Sequence, residues 1–261
     1  MLTALLKHYR RARGMSQLDL ASAAEISPKH LSFLETGRAK PSREMVLRLG
    51  NTLGLSLRDQ NSLLLAAGFS ESFGETEIGG MSPAIHSALE RMMAAQEPYP
   101  LVVFDGGYEL RMLNHAAQRL LGSLVPPDVL ARQTNLLALC FDPEGVRPYI
   151  DNWEELARHL LNRLSREHLQ TGRETLSLLQ SRLLAYPDVP SDFRRLDLAA
   201  PIMPVFDVRF RYAGLTLSFM TTLTVFSSPR DVTLEELHIE SYFPLDDQTE
   251  QACKLLAGST R

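Results

Sequence analysis

The segment from Gln17 to Glu35 constrains the fold more than any other part of the chain, because it contains two short helical patterns joined by a tight turn. Ala21, in the first pattern, is small enough to let two helices cross closely. Leu31 and Leu34 give the second pattern an apolar stripe at a spacing of three residues. Each helix therefore buries one face. The outer face of the second helix carries Pro28, Lys29, His30, Ser32 and Phe33.

Helix starts and ends recur through the first 70 residues, whereas strand patterns are absent there. Serines are placed to accept hydrogen bonds from the first turn of a helix, and glycines are placed to end a helix in a left-handed conformation. The starts are expected at Ser16, Ser27-Pro28 and Pro41-Ser42, and the ends at Gly37 and Gly68. This part of the chain is therefore predicted to be a bundle of five short helices.

Charge separates the chain into two parts. Residues 1–70 carry ten Lys and Arg against five Asp and Glu, whereas residues 71–261 carry 17 basic and 26 acidic residues. A basic bundle that exposes a helix N-terminus with Lys29 and hydroxyl groups suits the major groove of DNA. Phosphates meet the positive end of the helix dipole there, and short polar side chains reach base edges. Double-stranded DNA is thus the predicted partner of the first part.

The motif text in this region is longer than the turn itself. It reads Arg13-Gly14-Met15-Ser16-Gln17-Leu18-Asp19-Leu20-Ala21, then Ile26-Ser27, then Leu31-Ser32-Phe33-Leu34-Glu35-Thr36-Gly37-Arg38, then Pro41-Ser42. On these motifs, residues 3–67 resemble the helix-turn-helix domain of the xenobiotic-response-element family, which is related to the phage repressors. The resemblance implies a five-helix, lambda-repressor-like fold that binds DNA. It implies DNA contacts from Gln17, Ser27, Lys29, His30, Ser32, Arg38 and Lys40.

One residue departs from that family. Glu25 stands in the turn, where the family usually has Gly. If Glu25 adopts a left-handed conformation, the backbone costs roughly 1–2 kcal/mol more than with Gly. An acidic side chain would then also lie near the DNA.

The pattern changes after residues 71–97, which read as a polar, glycine-containing linker and a connecting helix. Strands are predicted at 101–104, 108–113, 205–212, 215–226 and 234–243, with helices between the second and the third. This order predicts a single five-stranded antiparallel sheet with helices. The whole chain is therefore expected to be α+β, with a helical domain over 1–70 and a sheet-containing domain over 98–261.

A second resemblance covers essentially the whole chain. Its text includes Pro98-Tyr99-Pro100, Asn114-His115-Ala116-Ala117, Arg147-Pro148-Tyr149-Ile150-Asp151-Asn152-Trp153, Pro229-Arg230-Asp231-Val232-Thr233-Leu234-Glu235-Glu236-Leu237 and Ile239-Glu240-Ser241-Tyr242-Phe243-Pro244. These motifs resemble the MmyB-like transcription regulators. The resemblance implies a C-terminal ligand-binding domain of PAS-like fold, whose pocket is associated with a fatty acid.

A fatty acid requires a long apolar tunnel and one cationic or multi-donor anchor for its carboxylate. The predicted ligand contacts are Arg147, Tyr149, Asn152, Trp153 and Phe219. Arg147 is the predicted anchor, and positions 149, 152 and 153 share a face if the stretch is helical. Structural roles remain open for the same residues: Trp153 in the core, Asn152 as a helix cap and Arg147 paired with an acid such as Asp142.

Catalytic and metal sites are not predicted. The histidines are scattered, with no HExxH pattern, and no nucleophile motif such as GxSxG is present. Cys140 and Cys253 are far apart, which is typical of a reducing compartment. No apolar run approaches the roughly 18 residues that span a bilayer. The N-terminal order of apolar and basic residues is the reverse of a secretory signal. We expect a cytoplasmic protein with no membrane partner and no cofactor other than a bound fatty acid.

These patterns favour a ligand-responsive, sequence-specific transcription regulator that forms a homodimer, with two helical heads reading half-sites about one DNA turn apart. An alternative is a DNA-binding regulator whose PAS-like domain has a filled core and serves only dimerisation or protein interaction. A third reading is an enzyme acting on a small molecule, with a vestigial helical head, although the sequence offers no catalytic set.

Overall fold

The computed structural model describes residues 1–194, 207–227 and 229–258. The chain divides into two compact units. The first unit comprises Met1–Thr76, Leu169–Gly172 and Ser227–Glu235, and the second comprises the rest of the described chain.

The N-terminal part of the first unit is a helical bundle, as predicted. Its helices are α1 (Leu2–Ala12), α2 (Gln17–Ala23), α3 (Pro28–Thr36), α4 (Arg43–Thr52) and α5 (Leu57–Ala66). The Ser16, Ser27 and Ser42 hydroxyls each accept a hydrogen bond from a backbone N–H in the first turn of the next helix. Gly37 ends α3 in the left-handed conformation, with φ of 76°. The capping residues therefore set the helix boundaries in this unit.

An almost fully buried ion pair ties the helices of the bundle together. The Arg10 guanidinium donates from Nε and Nη2 to the two carboxylate oxygens of Glu35, at 2.6 and 3.0 Å. Gln17 Nε2 donates to Glu35 Oε2 at 2.7 Å, and Arg10 Nη1 donates to the Met15 carbonyl at 2.8 Å. These contacts join α1, α2 and α3 through one carboxylate that is 1 % exposed.

The carboxylate of Glu35 is held in its charged form. Burial opposes ionisation, but the hydrogen bonds from Arg10 and Gln17 outweigh it and lower the pKa of the Glu35 carboxyl. A carboxyl whose pKa is lower in the folded than in the unfolded state stabilises the fold at higher pH. That contribution is lost as the pH falls through the lowered pKa.

The segment Ser227–Glu235 is held within the first unit by side-chain and backbone contacts. Asp231 Oδ2 accepts hydrogen bonds from the backbone N–H and the hydroxyl of Thr76, at 3.2 and 2.7 Å. The Val232 N–H donates to the Gly74 carbonyl at 2.8 Å. Glu235 Oε2 accepts from the Leu57 N–H at 2.7 Å, at the start of α5. A segment distant in sequence therefore completes the first unit.

The remaining elements follow in chain order. They are α6 (Pro83–Gln96), β1 (Leu101–Phe104), β2 (Leu110–Leu113), α7 (His115–Leu124), α8 (Pro127–Arg132), α9 (Leu136–Phe141), α10 (Trp153–Thr171), α11 (Glu174–Leu184), β3 (Asp207–Tyr212), β4 (Leu215–Val225), α12 (Val232–Glu236), β5 (His238–Pro244) and α13 (Asp247–Gly258). Short 3-10 turns lie at Ile78–Gly80, Arg147–Tyr149 and Ser191–Arg194.

The five strands form one antiparallel sheet in the order β2-β1-β5-β4-β3. This confirms the predicted α+β fold with a five-stranded sheet. Helices α9, α10 and α11 pack against Val102 and Phe104 of β1, and a neighbouring cluster includes Val208 of β3 and Phe219 of β4. The sheet and these helices make the core of the second unit.

The structure differs from the predicted strand boundaries most at the last strand, while the second strand begins at Leu110 and not at residue 108, and the fourth ends at Val225 and not at residue 226. The last strand was expected to begin at residue 234, but it begins at His238, and residues 234–236 lie in α12. Asp231 Oδ1 accepts hydrogen bonds from the N–H groups of Thr233 and Leu234, which starts a helical turn there. Residues 205 and 206 of the third predicted strand lie outside the described residues.

Within the described ranges, no helix is long and apolar enough to cross a membrane.

Replacing Glu35 by Gln is expected to destabilise the protein by about 3–5 kcal/mol, because the Arg10 guanidinium would stay buried without a counter-charge. Urea denaturation of the variant and the native chain measures the difference. The matched control is Glu44→Gln, since Glu44 pairs with Arg48 one turn away with its side chain 84 % exposed. That change should cost less than about 1 kcal/mol. Similar losses in the two variants would contradict a dominant role for the buried pair.

Candidate functional site

The outer face of α3 is the first candidate site. Ala21 and Leu31 are completely buried where α2 and α3 cross, so the opposite side of α3 faces outward. Pro28 and Lys29 are exposed in the first turn, and His30, Ser32 and Phe33 are partly exposed. The Lys29 ammonium lies 5.7 Å from the centre of the Phe33 ring. This face therefore presents a helix N-terminus, a cation and short polar groups together.

The remaining predicted DNA contacts lie at both ends of this face. Gln17 begins α2, and its amide is bonded to Glu35. Ser27 caps α3, because its hydroxyl accepts the His30 N–H at 3.1 Å. Arg38 and Lys40 are exposed in the loop that follows α3. Gln17 and Ser27 thus position α3, and their predicted contacts with DNA stay predictions.

Basic residues of the first unit divide into two groups by their contacts. Arg10 binds Glu35, and Arg13 donates from Nε and Nη2 to the carbonyls of Leu53 and Gly54 at the end of α4. Arg43, Arg48 and Arg58 likewise contact acceptors of their own unit. In contrast, Lys29 on α3 and Arg38 and Lys40 in the loop after it are exposed, as are Arg11 on α1 and Arg230 in the segment Ser227–Glu235. Part of the positive charge available to an outside partner therefore lies around α3.

The turn between α2 and α3 contains a left-handed residue, as the departure from the family pattern suggested. Glu25 has φ of 56° and is exposed. The Ile26 N–H donates to the Ala21 carbonyl at 2.9 Å, which is the closing bond of a left-handed helix end. The turn keeps its geometry although its residue is not Gly.

The predicted anchor Arg147 is held by backbone oxygens. Its guanidinium donates to the carbonyls of Pro187 and Asp188, at 2.6 and 3.1 Å, and lies 3.9 Å from the centre of the Trp153 ring. The Trp153 indole N–H donates to the Cys140 carbonyl at 2.8 Å. These contacts give both side chains a structural role.

The other predicted ligand contacts also lie within the packed structure. The Asn152 side chain bonds the Asp207 carbonyl and the Arg209 N–H, which joins the start of α10 to β3. Phe219 is completely buried and packs edge-on against Phe210. Tyr149 lies in a 3-10 turn next to the second core cluster. Nothing in the structure tests ligand contact at these positions, so the assignments stay predictions.

One cavity of the second unit is a groove of about 540 Å³ along the edge strand β2. Its walls are mostly apolar, with two methionines, Met93 and Met112, and five leucines, Leu110, Leu113, Leu121, Leu130 and Leu139. The polar side chains in its lining are already bonded within the protein. Arg111 binds Asp105, Gln118 binds the Leu113 carbonyl, Gln133 binds the Tyr186 hydroxyl and Thr134 binds Glu109. The groove thus offers apolar volume, and its polar groups are engaged.

A smaller cavity lies between the inner face of the sheet and helices α9 and α10. It has a volume of about 60 Å³, and we call it the chamber. Helix α9 separates it from the groove, because Leu139 faces the groove while Leu136, Leu137 and Cys140 face the chamber. Leu156, Leu160, Val208 and Phe210 complete the apolar lining.

Charged and hydroxyl groups also line the chamber. Arg163 of α10 and Glu240 of β5 face each other with 4.0 Å between Nη1 and Oε2. Tyr242 lines the chamber from the same face of β5 as Glu240. Burial raises the pKa of the Glu240 carboxyl, and Arg163 and Tyr242 offset that shift only in part. The chamber therefore combines apolar walls with an acid that resists ionisation and a cation beside it.

Sequence reasoning singled out neither Arg163 nor Glu240 as a candidate ligand contact. The alternation of β5 held a usable signal, since Glu240 and Tyr242 lie two residues apart on the face that packs against helices. A charged residue on such a face indicates a polar site inside the core.

Comparison with known families gives two matches along the chain. A family model described as the MmyB-like transcription regulator ligand binding domain matches residues 85–256, which is more than half of the chain. A model described as a helix-turn-helix domain matches residues 2–63. Neither description names an enzyme.

The curated relatives match the N-terminal region. An HTH-type transcriptional regulator of Deinococcus deserti, DdrOP3, is 43 % identical over 54 residues, which cover 21 % of this chain and 42 % of the relative. An uncharacterized HTH-type transcriptional regulator of Mycobacterium bovis is 39 % identical over 64 residues, covering 24 % of this chain and 25 % of the relative. The matches thus span less than half the length of these relatives.

Among solved structures, an RNA-binding light-oxygen-voltage receptor aligns over 97 % of this chain and 65 % of its own. The TM-score is 0.29 and the sequence identity is 12 %. A likeness at this level supports no argument about fold or function.

Replacing Glu25 by Gly is expected to raise the free energy of unfolding by about 1 kcal/mol, because Gly adopts the left-handed conformation without the steric cost of a Cβ. Urea denaturation checks the change. Glu25→Gln is the matched control, since it removes the charge and keeps the Cβ. If the Gln variant were stabilised as much as the Gly variant, charge and not backbone strain would be responsible.

Proposed function

Because the chain belongs to the MmyB-like transcription regulators, we propose that it is a one-component regulator. It binds double-stranded DNA through α3 and responds to a small apolar ligand held in the second unit. Its sequence specificity, its ligand and its oligomeric state are parts of this proposal. A regulator of transcription works where the chromosome is, so the proposed location is the cytoplasm.

DNA binding rests on one observation above the others: three exposed cations, Lys29, Arg38 and Lys40, lie on α3 and the loop after it. Lys29 stands in the first turn of α3, where the helix N-terminus also favours phosphate. Arg38 and Lys40 would hold the DNA backbone beyond the end of the helix. Ser32 and His30 lie between these cations on the outer face and are the proposed readers of base edges.

Homodimerisation follows from the way helix-turn-helix heads dock. One head covers only a short half-site, and two heads related by a twofold axis read half-sites about one DNA turn apart. We therefore propose that the chain binds DNA as a homodimer.

Ligand binding rests on the two cavities of the second unit. An acyl chain needs apolar volume, and its carboxylate needs a cation with hydrogen-bonding capacity left for it. The groove provides volume, but Arg111 is engaged by Asp105 at 2.5 Å. In the chamber, Arg163 and Glu240 are 4.0 Å apart, which is longer than a hydrogen bond. We therefore propose a fatty acid as the ligand, with its carboxyl group in the chamber at Arg163.

The sequence analysis predicted Arg147 as the residue that binds the carboxylate of the ligand, whereas this proposal assigns that role to Arg163. The Arg147 guanidinium already donates to the carbonyls of Pro187 and Asp188, so a ligand would have to displace these bonds. Arg163 lies in the lining of the chamber, over the Tyr108 ring at 5.3 Å. A cation next to an aromatic face and apolar walls is well placed to bind a carboxylate away from water.

Replacing Arg38 by Ala is expected to weaken binding to all duplex sequences alike and to lower the slope of log affinity against log salt by about one unit. Fluorescence anisotropy with a labelled random-sequence duplex, measured over a range of salt concentrations, tests this. Arg91→Ala is the control, because Arg91 is an exposed cation of α6 in the second unit. Affinity that does not depend on salt would argue against phosphate contacts.

Organic extraction of the purified protein followed by mass spectrometry is expected to release a fatty acid in about equimolar amount. Two cavity-filling variants then locate it. Leu156→Phe adds volume in the chamber and should abolish the bound lipid, whereas Leu130→Phe adds volume in the groove and should retain it. Thermal denaturation confirms that both variants fold. Absence of lipid, together with no binding of added fatty acid, would favour a PAS-like domain with a filled core.

A further inference from the structure

The chamber already contains a carboxyl group, that of Glu240, beside the cation at which the carboxylate of the proposed ligand would bind. Glu240 and Arg163 line the same small cavity, and no second cation is found in its lining among the described residues. The side chains of Glu240 and Arg163 are 13 % and 28 % exposed. Whether an incoming carboxylate fits therefore depends on the charge of Glu240.

We propose that the chamber accepts the carboxylate of the ligand at Arg163 only with Glu240 in its uncharged form, so that ligand binding takes up one proton at alkaline pH. The inference rests on the proposed function, since it concerns the same ligand site. It adds a regulatory input, because occupancy of the sensor domain then depends on pH as well as on ligand concentration.

Charge balance is the main argument. An ionised Glu240 and Arg163 together are neutral, so a carboxylate that joins them leaves one uncompensated negative charge among leucine, valine and phenylalanine side chains. Burying an unpaired charge is far more costly than binding a proton. A protonated Glu240 releases the full charge of Arg163 to the ligand, and it gains a hydroxyl that can donate to the ligand carboxylate.

The acid is also placed to accept that proton. Its apolar surroundings raise the pKa of the Glu240 carboxyl, despite the nearby Arg163. Tyr242 lines the same chamber, and the two residues lie on the same face of β5. The pKa of Tyr242 is itself raised, chiefly by burial, so the phenol stays protonated and remains a hydrogen-bond donor at alkaline pH.

The other titratable groups around the chamber do not compete for the proton above neutral pH. Burial lowers the pKa of His159 on α10 and of His238 on β5, so both rings are neutral there. Burial raises the pKa of the Cys140 thiol on α9 to about 12, and it also raises the pKa of Tyr108. On α10, Glu167 accepts a hydrogen bond from the Tyr108 hydroxyl at 2.8 Å.

The chamber is large enough for the polar end of a ligand, and the sheet continues the apolar surface beyond it. The register places Leu223 of β4 directly opposite Glu240, and Val225 directly opposite His238. Directly opposed residues of neighbouring strands project from the same face of the sheet. Leu223 and Val225 are 43 % and 52 % exposed. An acyl chain anchored at Arg163 can therefore extend along this strip.

The test uses the full-length protein, freed of its bound lipid, and dodecanoic acid, with dodecanol as an uncharged probe of the same length. Isothermal titration calorimetry at pH 7, 8 and 9, in buffers of different ionisation enthalpy, measures both affinity and proton uptake. Above the pKa of Glu240, affinity for dodecanoic acid should fall about tenfold per pH unit, with uptake approaching one proton per ligand. Affinity for dodecanol should be independent of pH.

Glu240→Gln removes the titrating group and keeps its shape. In this variant, affinity for dodecanoic acid should no longer depend on pH, should exceed that of the native chain at every pH above the pKa of Glu240, and should be accompanied by no proton uptake. Glu167→Gln is the matched control, because it removes an acid on α10 outside the chamber lining, and it should keep the native pH dependence. Any effect of pH on the probe itself is common to all three proteins.

The possible outcomes distinguish failure of the role of Glu240 from failure of the proposed ligand site. Binding of dodecanoic acid without proton uptake and with flat affinity from pH 7 to pH 9 would overturn the role of Glu240 and leave the fatty-acid site standing. Binding of neither probe at any pH would overturn the proposed ligand site itself. The buffer comparison needs only the native chain, so it decides the question even if Glu240→Gln does not fold.

Discussion

The buried ion pair of Arg10 and Glu35 is the interaction on which the DNA-binding geometry depends. One carboxylate receives hydrogen bonds from α1 and α2 while it belongs to α3, so the three helices have little freedom to shift against one another. An ion pair of this kind adds less net stability than apolar residues of the same volume would, because both charges lose their water. Its value is in orientation: α3 can present its outer face only if its inner face is held in one position.

The contacts of each arginine also decide where the basic first unit presents positive charge to solvent. Arginines of identical chemistry serve two purposes in the first unit, and their neighbours decide which. Arg13 satisfies carbonyls at the end of α4, where the helix leaves acceptors without partners. Arg38, in the loop after α3, projects its side chain into solvent. Net charge therefore overstates the surface offered to DNA, and the field around α3 depends on which cations are already bound.

In the second unit, close apolar packing and binding of the proposed ligand require different side chains on the inner face of the sheet. A core of leucines and phenylalanines alone would pack well, whereas Glu240 and Arg163 add a polar pair to the wall of an apolar chamber. A pair separated by 4.0 Å gives up part of its mutual attraction and leaves hydrogen-bonding capacity for a ligand. The proposed ligand site depends on this pair, because it is the polar part of an otherwise largely apolar wall.

The helices, the strands and the family of this protein could be predicted from the sequence, because these features depend on residues that are close together along the chain. Serine and glycine caps defined the helices of the first unit, alternation and turns predicted the five-stranded sheet, and the family motifs indicated a regulator. Tertiary structure alone decided which side chains meet. Arg147 was predicted as an anchor, and the structure pairs it with carbonyls 40 residues away along the chain, while Arg163 and Glu240 converge from α10 and β5. Caps and strands arise from neighbours within a few residues, whereas a cavity forms between segments whose proximity depends on the packing of the whole unit.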